Sequence, residues 1–177
     1  MRYLALVTDY DQTLALEGRM ADSIVAALEH LRASGRRVIV VTGRQLEDLG
    51  LVSGGLDHFD YVVAENGALI YESRTREITL LAEPPPKQFV SALRSRGVHP
   101  LAVGRVILAT QSPYETKVEQ AIREFKLDLQ IILNKGAVDC IAIFYETFWD
   151  IPISKRSKLW RRVLPSAPRP SQSQTSL

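Results

Sequence analysis

An α/β fold on a parallel sheet is predicted by two observations along the chain. Short β-branched runs alternate with longer stretches of helical periodicity, and each intervening stretch is long enough to hold the helix that a parallel crossover needs. A third observation agrees with them: two polar motifs each stand directly after such a run, where α/β folds place their sites.

Residues 3–7 form a nearly continuous apolar run, as in a strand buried on both faces. Residues 20–34 carry Ile24, Ala27, Leu28 and Leu31 at helical spacing, with Asp22 expected as the N-cap and Gly35 just past the end. A second strand is expected over 37–41, a short helix over 45–51 and a third strand over 61–64. Right-handed crossovers join these strands.

The rhythm changes from Ala68. Residues 68–71 and 77–81 flank a polar turn and predict a hairpin, and Pro84, Pro85 and Pro86 then punctuate the chain. A helix over 87–96, a strand over 105–110, a helix over 113–126 and a strand over 129–133 follow. The expected organisation is a core part over 1–68, an inserted small α/β unit over 69–138, a divergent segment over 139–164, and a disordered Ser/Pro/Gln-rich tail over 165–177.

Bulk properties narrow the function. The 177 residues, 46% of them hydrophobic, have room for one domain of ordinary size and a small appendage. Cys140 is the sole cysteine, which excludes an internal disulfide and a multi-cysteine zinc site and favours a reducing, cytoplasmic setting. The apolar run at the N-terminus is too short for a signal peptide. No segment approaches the roughly 20 apolar residues of a membrane span, so no membrane partner is expected. His30, His58 and His99 are dispersed, without the spacing of a metal site. Lys155, Arg156, Lys158, Arg161 and Arg162 surround Trp160, but with a net charge of only +2 this basic stretch reads as a solvated face. Nucleic acid is therefore not an expected partner.

The motif that carries chemistry is Asp9-Tyr10-Asp11-Gln12-Thr13-Leu14, placed after the first strand. Carboxylates at i and i+2 on an irregular turn can face one ligand, and a hard cation such as Mg2+ takes one or two carboxylates together with substrate phosphate; on spacing alone, acids after a strand also serve as turn or cap residues. The second strand leads into Thr42-Gly43-Arg44 just before a helix, where a hydroxyl and free backbone N–H groups suit a phosphate.

Together with Ala64-Glu65-Asn66-Gly67-Ala68, these motifs resemble the haloacid dehalogenase (HAD) superfamily, in particular its Cof-type phosphatase branch, over about residues 1–138. The resemblance implies a partial Rossmann-like core with an inserted α/β cap that closes over the site. It implies that Asp9 attacks a small phosphorylated metabolite to form an aspartyl-phosphate, that Asp11 is the general acid and base, and that Thr42 and Gly43 bind the phosphoryl group. Mg2+ would sit between Asp9, the backbone carbonyl of Asp11 and a downstream acid. Arg44 and Asn66 either face the substrate or serve only as a salt-bridge residue and a turn residue.

Gln12 stands where the family pattern has Gly; if that position needs a positive φ, Gln costs on the order of 1 kcal/mol. The family's lysine and its Gly-Asp-x-x-x-Asp motif are not recognisable: after Val138 the acids Asp139, Glu146 and Asp150 lack the spacing, Lys135 lies in the final strand region of the inserted unit, and Lys155 and Lys158 follow a break at Pro152. A truncation or shifted reading frame is the expectation from this loss of pattern, and translation of the neighbouring frame tests it. Activity is then expected to be impaired, and whether the chain is an enzyme stays open. The alternative is a non-catalytic remnant that binds phosphate or a protein partner. Without later strands the first strand becomes an exposed sheet edge, open to self-association.

Overall fold

The computed structural model describes residues 3–134 and 137–142. In chain order the elements begin with β1 (Ala5–Asp9), β2 (Ala15–Leu16), β3 (Arg19–Met20), α1 (Asp22–Ala33), β4 (Arg37–Val41), α2 (Leu46–Val52) and β5 (Tyr61–Ala64). A 3-10 turn (Glu65–Gly67) leads to β6 (Leu69–Glu72), β7 (Glu77–Leu80), α3 (Lys87–Ser95), β8 (Ala102–Val103) and β9 (Leu108–Gln111). Then come α4 (Glu115–Phe125), β10 (Leu129–Asn134) and β11 (Ala137–Ala142).

The main sheet has the order β1-β4-β5-β6-β7. β1, β4 and β5 are parallel, in a register that sets Asp9 beside Val41 and Val41 beside Val63. Val38 and Val40 are wholly buried and Ile39 nearly so, the two-sided burial expected of an interior parallel strand. Leu28 of α1, Leu46 and Leu49 of α2, Phe59 and Tyr10 close the core against this sheet. The α/β class and the parallel run of strands are thus as the sequence predicts.

The expected hairpin forms over 69–80. β6 pairs antiparallel with β5, and β7 with β6, so both strands extend the main sheet. The link from β5 to β6 is too short for a crossover, which leaves antiparallel pairing with its neighbour as the available solution. At the other end, β1 pairs only with β4 among the described residues, and Leu6 and Val7 are 37% and 55% exposed.

Asp22 is not the N-cap of α1. Ala21 holds that position without a side-chain cap bond, and Asp22 is the first helical residue, where its charge suits the positive end of the helix dipole. The other end is as expected: Gly35 has φ 81 and donates its N–H to the Arg32 carbonyl at 2.9 Å. The β2–β3 hairpin was not legible in the sequence. Its turn residues Glu17 and Gly18 have φ 50 and 80, the sign pattern of a type I′ turn.

The second sheet has the order β10-β11-β9-β8, all antiparallel. Phe89 and Leu93 of α3 meet Val118, Ala121 and Ile122 of α4 and Leu108 of β9 in a separate apolar cluster. The strand expected over 105–110 starts only at Leu108, because Gly104 donates its N–H to the Ile107 carbonyl at 2.9 Å and closes the turn between β8 and β9.

The change of sequence pattern expected after Val138 has a place in the fold. It falls inside β11, where Asp139 stands opposite Ile132 on one side and Ala109 on the other. A strand flanked on both sides has its backbone groups paired whatever its side chains are. Residues 139–142 therefore belong to the second sheet. Lys135, and everything from residue 143 on, including Glu146, Asp150, the basic stretch and the expected tail, lie outside the described residues. No helix among the described residues is long and apolar enough to cross a membrane.

Candidate active site

β1, β4 and β5 end on one edge of the main sheet, and each end carries one of the three motifs. Asp9 closes β1 with an exposed side chain. Its register partner is Val41, so the nearly buried Thr42 begins the adjacent loop. Thr42 donates its backbone N–H to the Val63 carbonyl at 2.9 Å, which ties that loop to β5.

The loop after Asp9 is wound around Tyr10. The Tyr10 carbonyl accepts the N–H groups of Leu14 at 3.0 Å and Ala15 at 2.9 Å. Its ring is fully buried and its hydroxyl donates to the Gly18 carbonyl at 3.0 Å. Burial raises the phenol pKa above its ordinary value, opposed by the positive charge of Arg44. Tyr10 thus anchors both neighbours, Asp9 and Asp11, although sequence reasoning passed over it. An aromatic residue between two acids was the available signal, since a side chain pointing opposite to its neighbours at a strand end faces the core.

Gln12 sits at φ 60 and donates its N–H to the Ala15 carbonyl at 2.8 Å. The loop therefore does require a left-handed residue where the sequence supplies Gln. Gln12→Gly should raise the unfolding free energy by about 0.5–1 kcal/mol, the relief of left-handed strain less the chain entropy of glycine. Urea denaturation of the two proteins measures it; an unchanged or lower midpoint would show that the loop carries no such strain.

Asp11 is held by Arg44 through two parallel bonds, Nε to Oδ2 and Nη2 to Oδ1, both 2.9 Å. The remaining arm, Nη1, reaches Asp48 at 2.8 Å. These bonds, Asp11 first, raise the Arg44 pKa above its ordinary value in spite of burial. The guanidinium lies 5.9 Å from the Tyr10 ring centroid, within cation–π range. Asp48, four residues after Arg44 on the following helix, was not singled out from the sequence; the i, i+4 spacing was its signal.

Thr42 accepts the Arg44 N–H on Oγ1 at 3.1 Å. Gly43 permits a close approach: a Cβ there would stand 2.7 Å from Oδ1 of Asn66. Asn66 itself has φ 56 and donates its backbone N–H to the Thr42 carbonyl at 3.2 Å. The fold thus gathers Asp9, Asp11, Thr42, Gly43, Arg44 and Asn66 on one edge.

Among the described residues no group of three or more His, Cys, Asp or Glu side chains is placed to hold a metal. The Asp11 carboxylate is engaged by Arg44, so among the described residues of these motifs the donors left for a cation are the exposed Asp9 carboxylate and the Asp11 backbone carbonyl. Oxygen donors of this kind suit Mg2+, which keeps several waters and takes one or two carboxylates beside a phosphate.

The model of the haloacid dehalogenase-like hydrolase family matches residues 6–130. No curated protein matches the chain. A haloacid dehalogenase-like hydrolase from Bacteroides thetaiotaomicron is similar in structure, with a TM-score of 0.65 at 11% identity over 92% of this chain and 77% of that one. A protein from Thermotoga maritima gives a TM-score of 0.62 at 15% identity over 91% and 75% of the two chains. A HAD subclass IIB sugar phosphatase gives 0.56 at 16% identity over 89% and 75%. At these identities the solved structures establish a shared fold. Motifs, family match and fold agree: the chain belongs to the haloacid dehalogenase-like hydrolase family.

Proposed function

We propose that the chain is a Mg2+-dependent phosphohydrolase of a small phosphorylated metabolite that works through an aspartyl-phosphate on Asp9. The observation that supports it best is the meeting of an exposed Asp9, a nearly buried Thr42 and an Arg44-held Asp11 on one sheet edge.

In the first half-reaction an Asp9 carboxylate oxygen attacks phosphorus as the bond to the substrate's ester oxygen breaks. Asp11 gives that oxygen a proton, so the product leaves as an alcohol. In the second, Asp11 takes a proton from water, the oxygen of which attacks phosphorus. The bond between phosphorus and Asp9 then breaks and releases inorganic phosphate. Thr42 and the backbone around Gly43 hold the phosphoryl oxygens. Asp9 and the Asp11 carbonyl would hold Mg2+, which would supply charge neutralisation on those oxygens. Both Asp11 oxygens accept bonds from Arg44, which fixes the carboxylate's orientation and leaves a lone pair on each oxygen for the proton. Arg44 and Asn66 face the substrate.

The elements from α3 to β11 act as the cap that selects the substrate and excludes water. A phosphorylated metabolite and a single cysteine both fit a cytoplasmic setting. A second reading, a non-catalytic binder that self-associates through the β1 edge, draws support from the exposed Leu6 and Val7.

Hydrolysis of p-nitrophenyl phosphate by the purified chain, with Mg2+ and with chelator, tests the proposal. Metal-dependent turnover is expected. Folded protein with no turnover would sink the phosphatase reading and leave the binder.

A further inference from the structure

Glu65 is fully buried, and its carboxylate is taken up by one turn of the second sheet. Oε1 accepts the Arg105 N–H at 3.0 Å, and Oε2 accepts the N–H groups of Val106 at 2.7 Å and Ile107 at 3.0 Å. Successive N–H groups that converge on one point form an anion-binding concavity. Here a carboxylate from the end of β5 fills it. The fit is close: a Cβ on Gly104 would stand 2.9 Å from Oε2.

Two further features frame this contact. Ala68, Ala82, Val106 and Ile107 form a buried apolar cluster of their own, and exclusion of water strengthens charge-assisted bonds. At the rim, Arg105 reaches Glu47 of α2 with Nη2 at 2.7 Å and Nε at 3.0 Å. On its other side Glu65 donates its backbone N–H to the Arg44 carbonyl at 3.0 Å, while Asn66 donates to Thr42. One residue therefore links the β8–β9 turn to the loop that follows β4.

We infer that Glu65 is a positioning residue: its carboxylate latches the β8–β9 turn and so fixes the second sheet relative to the loop after β4 that carries Thr42 and Arg44. The catalytic part of the inference rests on the phosphatase reading above; the latch itself does not. Glu65 touches no reacting atom, so its loss should weaken the hold on substrate more than it slows the chemistry. In Glu65→Gln the side chain keeps its shape but turns an NH2 group toward backbone N–H donors. Gly104→Ala leaves Glu65 in place and pushes its carboxylate out of the turn.

Amide hydrogen exchange by NMR and steady-state kinetics test this on the full chain. In Glu65→Gln, exchange at Arg105, Val106 and Ile107 should be about a hundredfold faster, with Val38 and Val40 in β4 unchanged. Gly104→Ala should give the same pattern, and it stands in if Glu65→Gln does not fold. Unchanged protection at 105–107 in the folded variants would overturn the latch. For p-nitrophenyl phosphate, KM should rise at least about tenfold while kcat stays within about threefold. A fall in kcat at constant KM would overturn the positioning role. If the unaltered chain shows no turnover, the phosphatase reading and the positioning role fall together, and the exchange rates still decide the latch.

Discussion

Asp9→Asn is expected to lower metal-dependent hydrolysis of p-nitrophenyl phosphate by at least about a thousandfold. An amide is a poor nucleophile toward phosphorus, and the substitution also removes the negative charge that would face Mg2+. The change is nearly isosteric at an exposed side chain, so the thermal midpoint should stay within about 2 °C. The pairing of lost turnover with retained stability is the informative result. Turnover that survives the substitution would mean that Asp9 is not the nucleophile, and a lost fold would mean that the residue is structural.

Tyr10→Ala should cost about 3–5 kcal/mol of stability, the range for truncating a buried aromatic ring. Against a total of about 5–15 kcal/mol for a typical domain, that is a large share. The ring is wholly buried in one cluster with Leu49, Phe59 and Val62, so its loss leaves a cavity in the core. Tyr10→Phe separates the two roles of the residue. It keeps the ring and removes only the hydroxyl bond to the Gly18 carbonyl, so it should cost about 1 kcal/mol. Equal losses in the two variants, measured by urea denaturation, would show that the hydrogen bond and not the packing holds the loop. Because Tyr10 joins Asp9 to Asp11, Tyr10→Ala should also lower kcat in whatever fraction remains folded.

The strands β4 and β5, the helices α1, α3 and α4, and the three motifs at the sheet edge were all legible in the sequence. Each depends on local signals: β-branched runs, helical spacing of apolar residues, and turn residues directly after a strand. The order of strand and helix then limited the topology to a parallel core, and that core put Asp9 and Thr42 side by side. Pieces too short to show periodicity escaped, as the two-residue strands β2, β3 and β8 did.

Only the tertiary structure decided which partner each segment takes. The hairpin of β6 and β7 has the same local pattern whether it starts a new unit or extends the main sheet, and the short link from β5 selected the second. β11 takes its place between β10 and β9 through hydrogen bonds that act on backbone that every residue possesses. Arg44 could be foreseen near the site, but its two-armed hold on Asp11 depends on the distance between loops 33 residues apart. Glu65 is the clearest case. A glutamate before Asn-Gly reads as a polar turn residue, and its burial under three N–H groups some 40 positions later is created by packing between two sheets. Sequence periodicity reports which face of an element is apolar; the position of a charge relative to distant backbone is set when those faces meet.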